Sequence, residues 1–393
     1  MWGLWNSIEI YSLRRNRDLQ MKKLCFVTAA RSEYGLLKWL MKDIEATAEF
    51  ELQLIVTGGH LSHEQGHTVD RIIEDGFRID YIVDAGLDNS SVAQIAESMG
   101  RMAEGFAGAF DQLKPDYLLV LGDRYELLPI CNTAFVMRIP IIHLSGGDVT
   151  EGAIDDGIRN AVTMLSEYHF PGTKASAENI IRMRGSDKNI WTVGEPGLDA
   201  FNRERLWSRE QLAEDLNINI DKSWALMTYH SETKEGIEYN INNVKSCIDV
   251  LLEYPNLQTV ITYANADLGG REINEYIERA AGENSDRLRV IPSLGHLRYL
   301  SFMKQADFVI GNSSSGIVEA PFMNIPVVNI GNRQRGRYQC GNIIQCDPNN
   351  KAIKAAVKGA FQIKKEAHND LDYWGDGHTS ERIVNILKEE IRD

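Results

Sequence analysis

Short apolar runs alternate with helical patterns along almost the whole chain, and this alternation limits the fold more than any other feature. The runs are apolar throughout rather than at every second residue, which is typical of strands buried on both faces. Strands of that kind belong to parallel sheets covered by helices on both sides, so we predict an α/β fold. The predicted strands are 24–29, 52–57, 81–84, 117–121, 140–144, 168–171, 225–229, 259–263, 289–291, 308–310 and 326–330.

The length of the chain indicates two domains. A total of 393 residues is large for a single hydrophobic core. We predict two doubly wound, Rossmann-like domains, residues 21–196 and 197–375, which are joined at residues 194–197 and separated by a cleft. A helix within residues 376–393 is expected to return and complete the first domain. Residues 1–20 contain two Trp and three Arg without periodicity, so we interpret them as an N-terminal extension.

The charge of the chain narrows the choice of partners. A formal net charge of −14 argues against nucleic acid or an anionic membrane as the main partner. No apolar run approaches the length of a membrane span. The five cysteines form no CxxC pair, which favours free thiols in a reducing cytosol and therefore a cytoplasmic protein.

A Ser/Gly turn and a basic loop near the C-terminus predict an anion site. The turn, residues 312–316, follows an apolar run and precedes a helical pattern, so it presents backbone N–H groups and hydroxyls to an anion. Glu319 can accept hydrogen bonds from sugar hydroxyls. The next strand ends in three arginines that can face phosphate oxygens, namely Arg333, Arg335 and Arg337. An ordinary Ser-capped helix followed by a solvated basic loop is the alternative, and the three arginines favour the anion site.

Two further motifs lie where predicted strands end in the first half of the chain. Arg31 is exposed at a strand–helix turn, in a segment that lacks the GxGxxG pattern of a dinucleotide site. Asp123 and Arg124 directly follow a buried strand, where charged groups are costly unless they bind something. A surface charge at Arg31, and a helix cap at Asp123 with a solvated Arg124, are the alternatives that remain open.

An acidic loop, residues 148–156, is the densest cluster of ionisable groups. It follows a strand end and a Gly-Gly turn, and it carries four carboxylates within nine residues. Asp156 and Arg159 are three residues apart on the following helix and can pair. One alternative is a calcium site, but the ligand spacing of an EF-hand is absent. The other is that these carboxylates are simply the acidic residues common at the N-terminus of a helix. We rank proton transfer first, because crowded carboxylates in a cleft acquire suitable pKa values.

A histidine follows the first strand of the second predicted domain. His230 would face the first domain across the cleft, as an acid, a base, or a donor to a leaving phosphate. His60, His63 and His67 lie close together in the sequence, but no Cys or carboxylate set with zinc-ligand spacing accompanies them. We predict a polar loop there and no metal site.

The motifs, taken in order, resemble those of the UDP-N-acetylglucosamine 2-epimerase family. They are AARSEYG, GDRYE, HLSGGDVTEGAIDDGIRN, TYH, GNSSSGIVEA and GNRQRGR, and the resemblance runs from about Lys23 to Ile391. TEGAIDD favours the hydrolysing branch of the family. The resemblance implies a GT-B fold, in which two Rossmann-like domains enclose a UDP-sugar in the cleft between them. It also implies a homo-oligomer, a dimer or tetramer, that needs no cofactor and no metal.

The resemblance carries roles to individual residues. Those matching acid–base and leaving-group positions are Asp123, Asp148, Asp156 and His230. Those matching substrate contacts are Arg31 and Arg124 for phosphate or sugar, Ser313 and Ser314 for the diphosphate, Glu319 for the ribose and Arg333 for the nucleotide. Asp148 departs from the family, whose members commonly carry Glu at that place.

The implied reaction is a hydrolytic epimerisation. Anti elimination of UDP gives a 2-acetamidoglucal, and hydration then yields the free 2-epimer for sialic or legionaminic acid synthesis. The substrate implied is UDP-N-acetylglucosamine or UDP-2,4-diacetamido-2,4,6-trideoxyglucose, and GDP in place of UDP stays open. A non-hydrolysing 2-epimerase, a GT-B glycosyltransferase and a catalytically silent nucleotide-sugar-binding regulator are the alternatives.

Overall fold

Two parallel sheets organise the protein. The computed structural model describes residues 21–62, 67–88, 91–265, 267–363, 368–370 and 372–391. The predicted N-terminal extension and His63 lie outside these residues. The strands found within them are β1 Lys22–Thr28, β2 Phe50–Thr57, β3 Tyr81–Val83, β4 Tyr117–Leu121, β5 Ile141–Leu144, β6 Tyr168–Phe170, β7 Ser223–Thr228, β8 Leu257–Thr262, β9 Leu288–Ile291, β10 Phe308–Gly311, β11 Val327–Ile330 and β12 Ile343–Cys346.

Both sheets have the doubly wound order. The first runs β3-β2-β1-β4-β5-β6 and the second β12-β11-β10-β7-β8-β9. All described strand pairs are parallel. In each sheet the order reverses beside the first strand of that half, and such a reversal opens a crevice at the carboxyl ends of the strands. The prediction of an α/β fold with two Rossmann-like halves is confirmed.

Helices cover both faces of each sheet. Those of the described residues are α1 Arg31–Glu45, α2 Val69–Glu74, α3 Val92–Leu113, α4 Leu127–Val136, α5 Asp155–Leu165, α6 Lys174–Arg184, α7 Asp199–Arg203, α8 Arg209–Leu216, α9 Ile237–Leu252, α10 Gly270–Glu283, α11 Gly295–Gln305, α12 Glu319–Phe322, α13 Asn350–Gln362 and α14 Thr379–Glu390. None of these helices combines the length and apolar character that crossing a membrane requires. The cysteines are free thiols, and four of the five are buried.

The last helix packs on the first sheet although it follows the second in sequence. Ile383 and Leu387 of α14 lie in one core cluster with Leu24 of β1 and Leu40 of α1. The carboxylate of Asp199 accepts hydrogen bonds from the first backbone N–H groups of α14, at 2.8 and 2.7 Å. Such a cap satisfies donors that have no partner within the helix. The predicted domain limits stay a prediction.

Candidate active site

The acidic loop, which follows β5, contacts the loop that follows β11 in the other half of the protein. We call residues 331–337 the arginine loop. Its three arginines each pair with a carboxylate of the acidic loop. The pairs are Arg337–Asp148 at 3.1 Å, Arg335–Glu151 at 3.0 Å and Arg333–Asp155 at 3.8 Å. The arginines that we expected to face phosphate therefore contact carboxylates of the opposite domain, and the Arg333 pair is the longest of the three.

The two loops approach each other closely at Gly152. The backbone N–H of Glu151 donates to the carbonyl oxygen of Arg335 at 2.9 Å. A Cβ atom added at Gly152 would lie 2.3 Å from the carbonyl oxygen of Asn332 and 2.8 Å from the Cα atom of Arg333. Any side chain at residue 152 would therefore force the loops apart.

A small cavity of about 70 Å³ lies between the two loops. Its lining residues are Asp123, Thr150, Ala153, Asp155, Ser314, Arg333, Gln334 and Arg337. The structure thus brings together three of the predicted site residues, Asp123, Ser314 and Arg333. Our sequence reasoning assigned no role to Asp155 or Gln334, and it had placed Arg337 only among the arginines available to phosphate.

Asp123 carries a negative charge in this cavity. Its carboxylate accepts a hydrogen bond from Arg159, whose side chain is fully buried. Burial alone would raise the pKa of Asp123, but the positive charges of Arg159, Arg337 and Arg333 outweigh it and lower that pKa. Arg159 also donates to the carbonyl oxygen of Asp148 at 2.8 Å, so it holds the start of the acidic loop against Asp123.

The next two carboxylates of the acidic loop have different surroundings. Asp156 accepts a hydrogen bond from the backbone N–H of Thr150 at 2.8 Å and does not line the cavity. Asp155 does line it, and burial, followed by the negative charge of Asp123, raises the pKa of Asp155 to about 6. The acid–base role predicted for Asp156 stays a prediction. The geometry favours Asp155 for that role, because Asp155 shares the cavity with Asp123 and the pKa values of these two carboxyl groups are shifted in opposite directions, as in many acid–base pairs.

Asp148 is held from both domains. Its Oδ1 atom accepts a hydrogen bond from the hydroxyl of Ser176 at 2.5 Å, and its Oδ2 atom pairs with Arg337 at 3.1 Å. The side chains of Asp148 and Arg337 are only 7% and 12% exposed. Both carboxylate oxygens therefore have donors, which fixes the orientation of Asp148.

His230 is a neutral hydrogen-bond donor in this structure. Its Nδ1 atom accepts the backbone N–H of Asn265 at 3.0 Å, so the ring proton is on Nε2. Burial, followed by the positive charges of Arg333, Arg31 and Arg124, lowers the pKa of His230 well below its usual value. The imidazole therefore stays uncharged at neutral pH and offers Nε2–H to a partner.

Arg31 and Arg124 line a second and much larger cavity, of about 1250 Å³, between the two halves. Arg31 donates to the carbonyl oxygen of Pro292 at 2.6 Å. Arg124 pairs with Glu126 at 2.9 Å and lies 3.9 Å from Asp267. Pro292 and Asp267 belong to the second half, so both arginines reach across the cleft. This cavity has room for a nucleotide sugar.

The Ser/Gly turn is followed by less helix than its pattern suggested. Residues 314–316 form a single 3₁₀ turn, and α12, which begins at Glu319, has four residues. The hydroxyl of Ser313 accepts the backbone N–H of Ser315 at 3.4 Å. Burial raises the pKa of Glu319 to about 7. Of the two serines, Ser314 lines the small cavity, whereas Ser313 stabilises the turn. Glu319 does not line that cavity; its side chain lies beside Gly197, in the segment that connects the two halves.

No metal centre is found among the described residues. His, Cys, Asp and Glu side chains form no group of three or more there that could hold a metal ion. His60 lies between the hydroxyls of Thr28 and Thr68, at 2.9 and 2.7 Å, so hydrogen bonds to protein account for both of its ring nitrogens.

Comparison with known proteins decides the family. The sequence pattern of the UDP-N-acetylglucosamine 2-epimerase family matches residues 42–388. The chain belongs to this family. Two curated relatives are hydrolysing members, a GDP/UDP-N,N'-diacetylbacillosamine 2-epimerase of Campylobacter jejuni and a UDP-N,N'-diacetylbacillosamine 2-epimerase of Legionella pneumophila. The Campylobacter relative is 36% identical over 84% of this chain and 86% of its own length. The Legionella relative is 34% identical over 94% of this chain and 96% of its own length.

Solved structures of family members share the fold. The UDP-N-acetylglucosamine 2-epimerase of Neisseria meningitidis, bound to UDP-N-acetylglucosamine, gives a TM-score of 0.77 at 18% identity, over 94% of this chain and 100% of its own. The Staphylococcus aureus MnaA–UDP structure gives a TM-score of 0.75 at 22% identity, over 94% of this chain and 97% of its own. The predicted GT-B architecture of this epimerase-family chain is therefore confirmed.

Proposed function

We propose that this family member is a hydrolysing nucleotide-sugar 2-epimerase that acts on UDP-2,4-diacetamido-2,4,6-trideoxyglucose. The two relatives that are 36% and 34% identical support this choice, because N,N'-diacetylbacillosamine is that diacetamido sugar. The products would be UDP and the free 2-epimer. UDP-N-acetylglucosamine, and the GDP form of either sugar, are the other substrates to be tested.

One structural observation carries the proposal. Asp123 and Asp155 of the first domain line the same small cavity as Ser314 and Arg333 of the second. Elimination of a nucleoside diphosphate across C1–C2 needs a base near the C2 hydrogen and donors for the departing phosphate. The two sides of this cavity supply those two kinds of group.

The first half of the reaction removes UDP. Asp155, whose pKa lies near 6, is assigned as the base that takes the proton from C2. The electron pair of that C–H bond forms the C1–C2 double bond, and the C1–O bond breaks with its electron pair going to the diphosphate. Arg333, Ser314 and the Nε2–H of His230 are assigned to stabilise the departing charge.

The second half adds water to the double bond. Asp123, which is ionised, is assigned to orient the water whose oxygen bonds to C1 and to take the proton that this water gives up. Because C2 is inverted, the new proton reaches C2 from the face opposite to the one that lost it. Asp148 is assigned to that face as the predicted acid–base group, so the reaction uses two separate proton-transfer groups.

The proposal extends to the setting of the enzyme. A free 2-acetamido 2-epimer is the type of sugar from which sialic-acid-type compounds, including legionaminic acid, are built. A relative from Escherichia coli, 29% identical over 86% of this chain, is a polysialic acid biosynthesis protein. We place the protein in the cytoplasm as a dimer or tetramer, and sedimentation of the purified protein tests the assembly.

Incubation with a panel of substrates in D₂O tests the function. Purified protein is mixed separately with the UDP and GDP forms of both sugars, and NMR follows the products. We expect free 2-epimer carrying deuterium at C2, formed fastest from UDP-2,4-diacetamido-2,4,6-trideoxyglucose. An unreacted panel would refute the proposal, and epimer still attached to the nucleotide would identify a non-hydrolysing enzyme instead.

A further inference from the structure

A buried carboxyl group with an unpartnered oxygen lies beside Asp148. Glu195 is 9% exposed, and it follows β6 in the segment that connects the two halves. Its Oε2 atom accepts the hydroxyl of Ser145 at 2.7 Å, whereas its buried Oε1 atom has no hydrogen-bond partner. An ionised carboxylate is costly to bury in that state, so the surroundings favour a neutral, protonated group.

Glu195 and Asp148 are both held by the turn that follows β5 and by the segment that runs from the end of β6 into α6. Ser145, which contacts Glu195, opens the turn that ends at Asp148, and it adopts a left-handed φ of 56°, which is unusual for a residue with a side chain. On the other side, Gly172 leaves room for Oε1, because an added Cβ would lie 2.0 Å from it. Ser176, four residues later, donates to Asp148 at 2.5 Å. The two carboxyl groups therefore occupy one strand-end site.

The charges around this site assign the proton to one of the two carboxyl groups. The ionisable groups that bear on Glu195 are Asp148 of the acidic loop, Arg337 of the arginine loop and Glu319 of α12. Arg337 makes its ion pair with Asp148. Glu195 has no such ion pair and lies buried near a second carboxyl group, so it keeps a proton. Burial, followed by the charge of Asp148, raises the pKa of Glu195 to about 7.

We propose that Glu195 is a positioning residue that supplies, through Asp148, the proton that C2 receives in the hydration step. This inference rests on the proposed function. No hydrogen bond joins the two carboxyl groups directly, so the proton passes from Glu195 to Asp148 by way of a bridging water and then to C2. A second water adds its OH group to C1 and gives its other proton to Asp123, which releases it to solvent. Glu195 regains a proton from solvent, and Asp155 releases to solvent the proton that it took from C2. The cycle needs no other reactant.

Substitution of Glu195 by Gln separates the two halves of the reaction. The amide can still accept from Ser145 but carries no transferable proton. We expect Glu195→Gln to release UDP together with the unsaturated 2-acetamidoglucal, while formation of the 2-epimer falls about 100-fold or more, as is typical for loss of an acid–base group. Equal loss of both products in a folded variant, or near-normal formation of the epimer, would overturn the proposal.

Ser145→Ala gives a second measurement that does not depend on the Gln variant. The Ser145 hydroxyl lowers the pKa of Glu195, so its removal raises that pKa further. Because the proton donor must be protonated, wild-type turnover should fall as pH rises through about 7. In Ser145→Ala this fall should move to higher pH. A fall that stays in place, or moves to lower pH, contradicts the assignment.

Infrared spectra test Glu195 without any substrate. The wild-type protein should show the C=O stretch of a protonated carboxyl group below pH 7. Burial also raises the pKa of Glu33 and of Glu319 to about 7, and the difference spectrum against Glu195→Gln should isolate the Glu195 band from theirs. An ionised Glu195 at pH 6 would overturn the inference even if the enzyme is active. A protonated Glu195 in a protein that converts no sugar of the panel would instead refute the proposed function.

Discussion

The contact between the acidic and arginine loops depends on a single glycine, and substitution of that glycine gives a quantitative test of how far activity depends on the contact. In Gly152→Ala the new methyl group would lie 2.3 Å from the carbonyl oxygen of Asn332 and 2.8 Å from the Cα atom of Arg333. Both are backbone atoms, so no rotation of a side chain can relieve the overlap. The loops must separate, and the pair Arg337–Asp148 must lengthen with them.

The size of the effect follows from packing energetics. An extra methyl group in a well-packed site costs about 1–3 kcal/mol. If that cost falls only on the form in which the two loops touch, the ratio of this form to the separated form decreases about five- to 150-fold, since 1.4 kcal/mol corresponds to a factor of ten. We expect kcat/KM to fall within this range while the thermal stability of each half changes little, because Gly152 lies at the boundary between them.

A glycine nearby in the sequence provides the matched control. Gly157 lies in α5, and no heavy atom lies within 4 Å of its missing Cβ. Gly157→Ala should therefore leave kcat/KM unchanged and raise stability by up to about 1 kcal/mol, from the better helix propensity of Ala. The reasoning is refuted if Gly152→Ala retains kcat/KM within twofold of wild type, or if both variants lose the same activity.

Two paired substitutions test the assignments within the small cavity. Asp155→Asn should reduce kcat by about 100-fold or more, as expected for the loss of a base. Asp156→Asn should mainly destabilise the acidic loop. If Asp156→Asn has the lower kcat of the two, Asp156 and not Asp155 is the base. Arg337→Gln removes a positive charge that lowers the pKa of Asp123, so the loss of kcat/KM that follows protonation of Asp123, at lower pH than the limb set by Asp155, should move to higher pH. Arg335→Gln breaks an ion pair whose partners are 68% and 55% exposed, and should change kcat/KM less than about fivefold; an equal shift in both variants would contradict the role of Arg337.

The sequence predicted most of the fold because the strands are buried on both faces. A continuous apolar run such as that of β4 is visible without any knowledge of its neighbours, since every residue of it is apolar or aromatic. The edge strand β12 escaped prediction, because it is only half-buried and contains Gln345 in place of a continuous apolar run. The helix α1 begins directly after the turn, at Arg31, because Glu33 accepts the N–H groups of Ala29 and Ala30.

The candidate site was only partly predictable, for a related reason. Strand-end motifs mark the edge of a sheet on which side chains lie, so position made Asp123, Ser314 and Arg333 candidates, and the family resemblance gave them roles that stay predictions. The pairing of the arginine loop with the acidic loop joins residues about 180 positions apart, and no local pattern encodes it. The choice between Asp155 and Asp156 depends on a rotation of about 100° around one helix axis, which a motif cannot resolve. Glu195 escaped because its sequence context indicated only a linker.

In the proposed reaction, the ion pair between Arg333 and Asp155 would link nucleotide binding to acid–base chemistry. Arg333 lies 3.8 Å from Asp155 and is one of the charges that lower the pKa of that carboxyl group. A diphosphate that takes Arg333 as its partner removes this stabilisation and adds negative charge nearby, and both changes raise the pKa of Asp155 above about 6.

The pH profiles should reveal this link. As a base, Asp155 must be ionised, so activity falls as pH drops through its pKa. The profile of kcat/KM reports the free enzyme and that of kcat reports the substrate complex. We therefore expect the acidic limb of kcat to lie at higher pH than the acidic limb of kcat/KM. Coincident limbs would mean that the diphosphate leaves the Arg333–Asp155 pair intact and is held by Ser314, His230 and Arg31 instead.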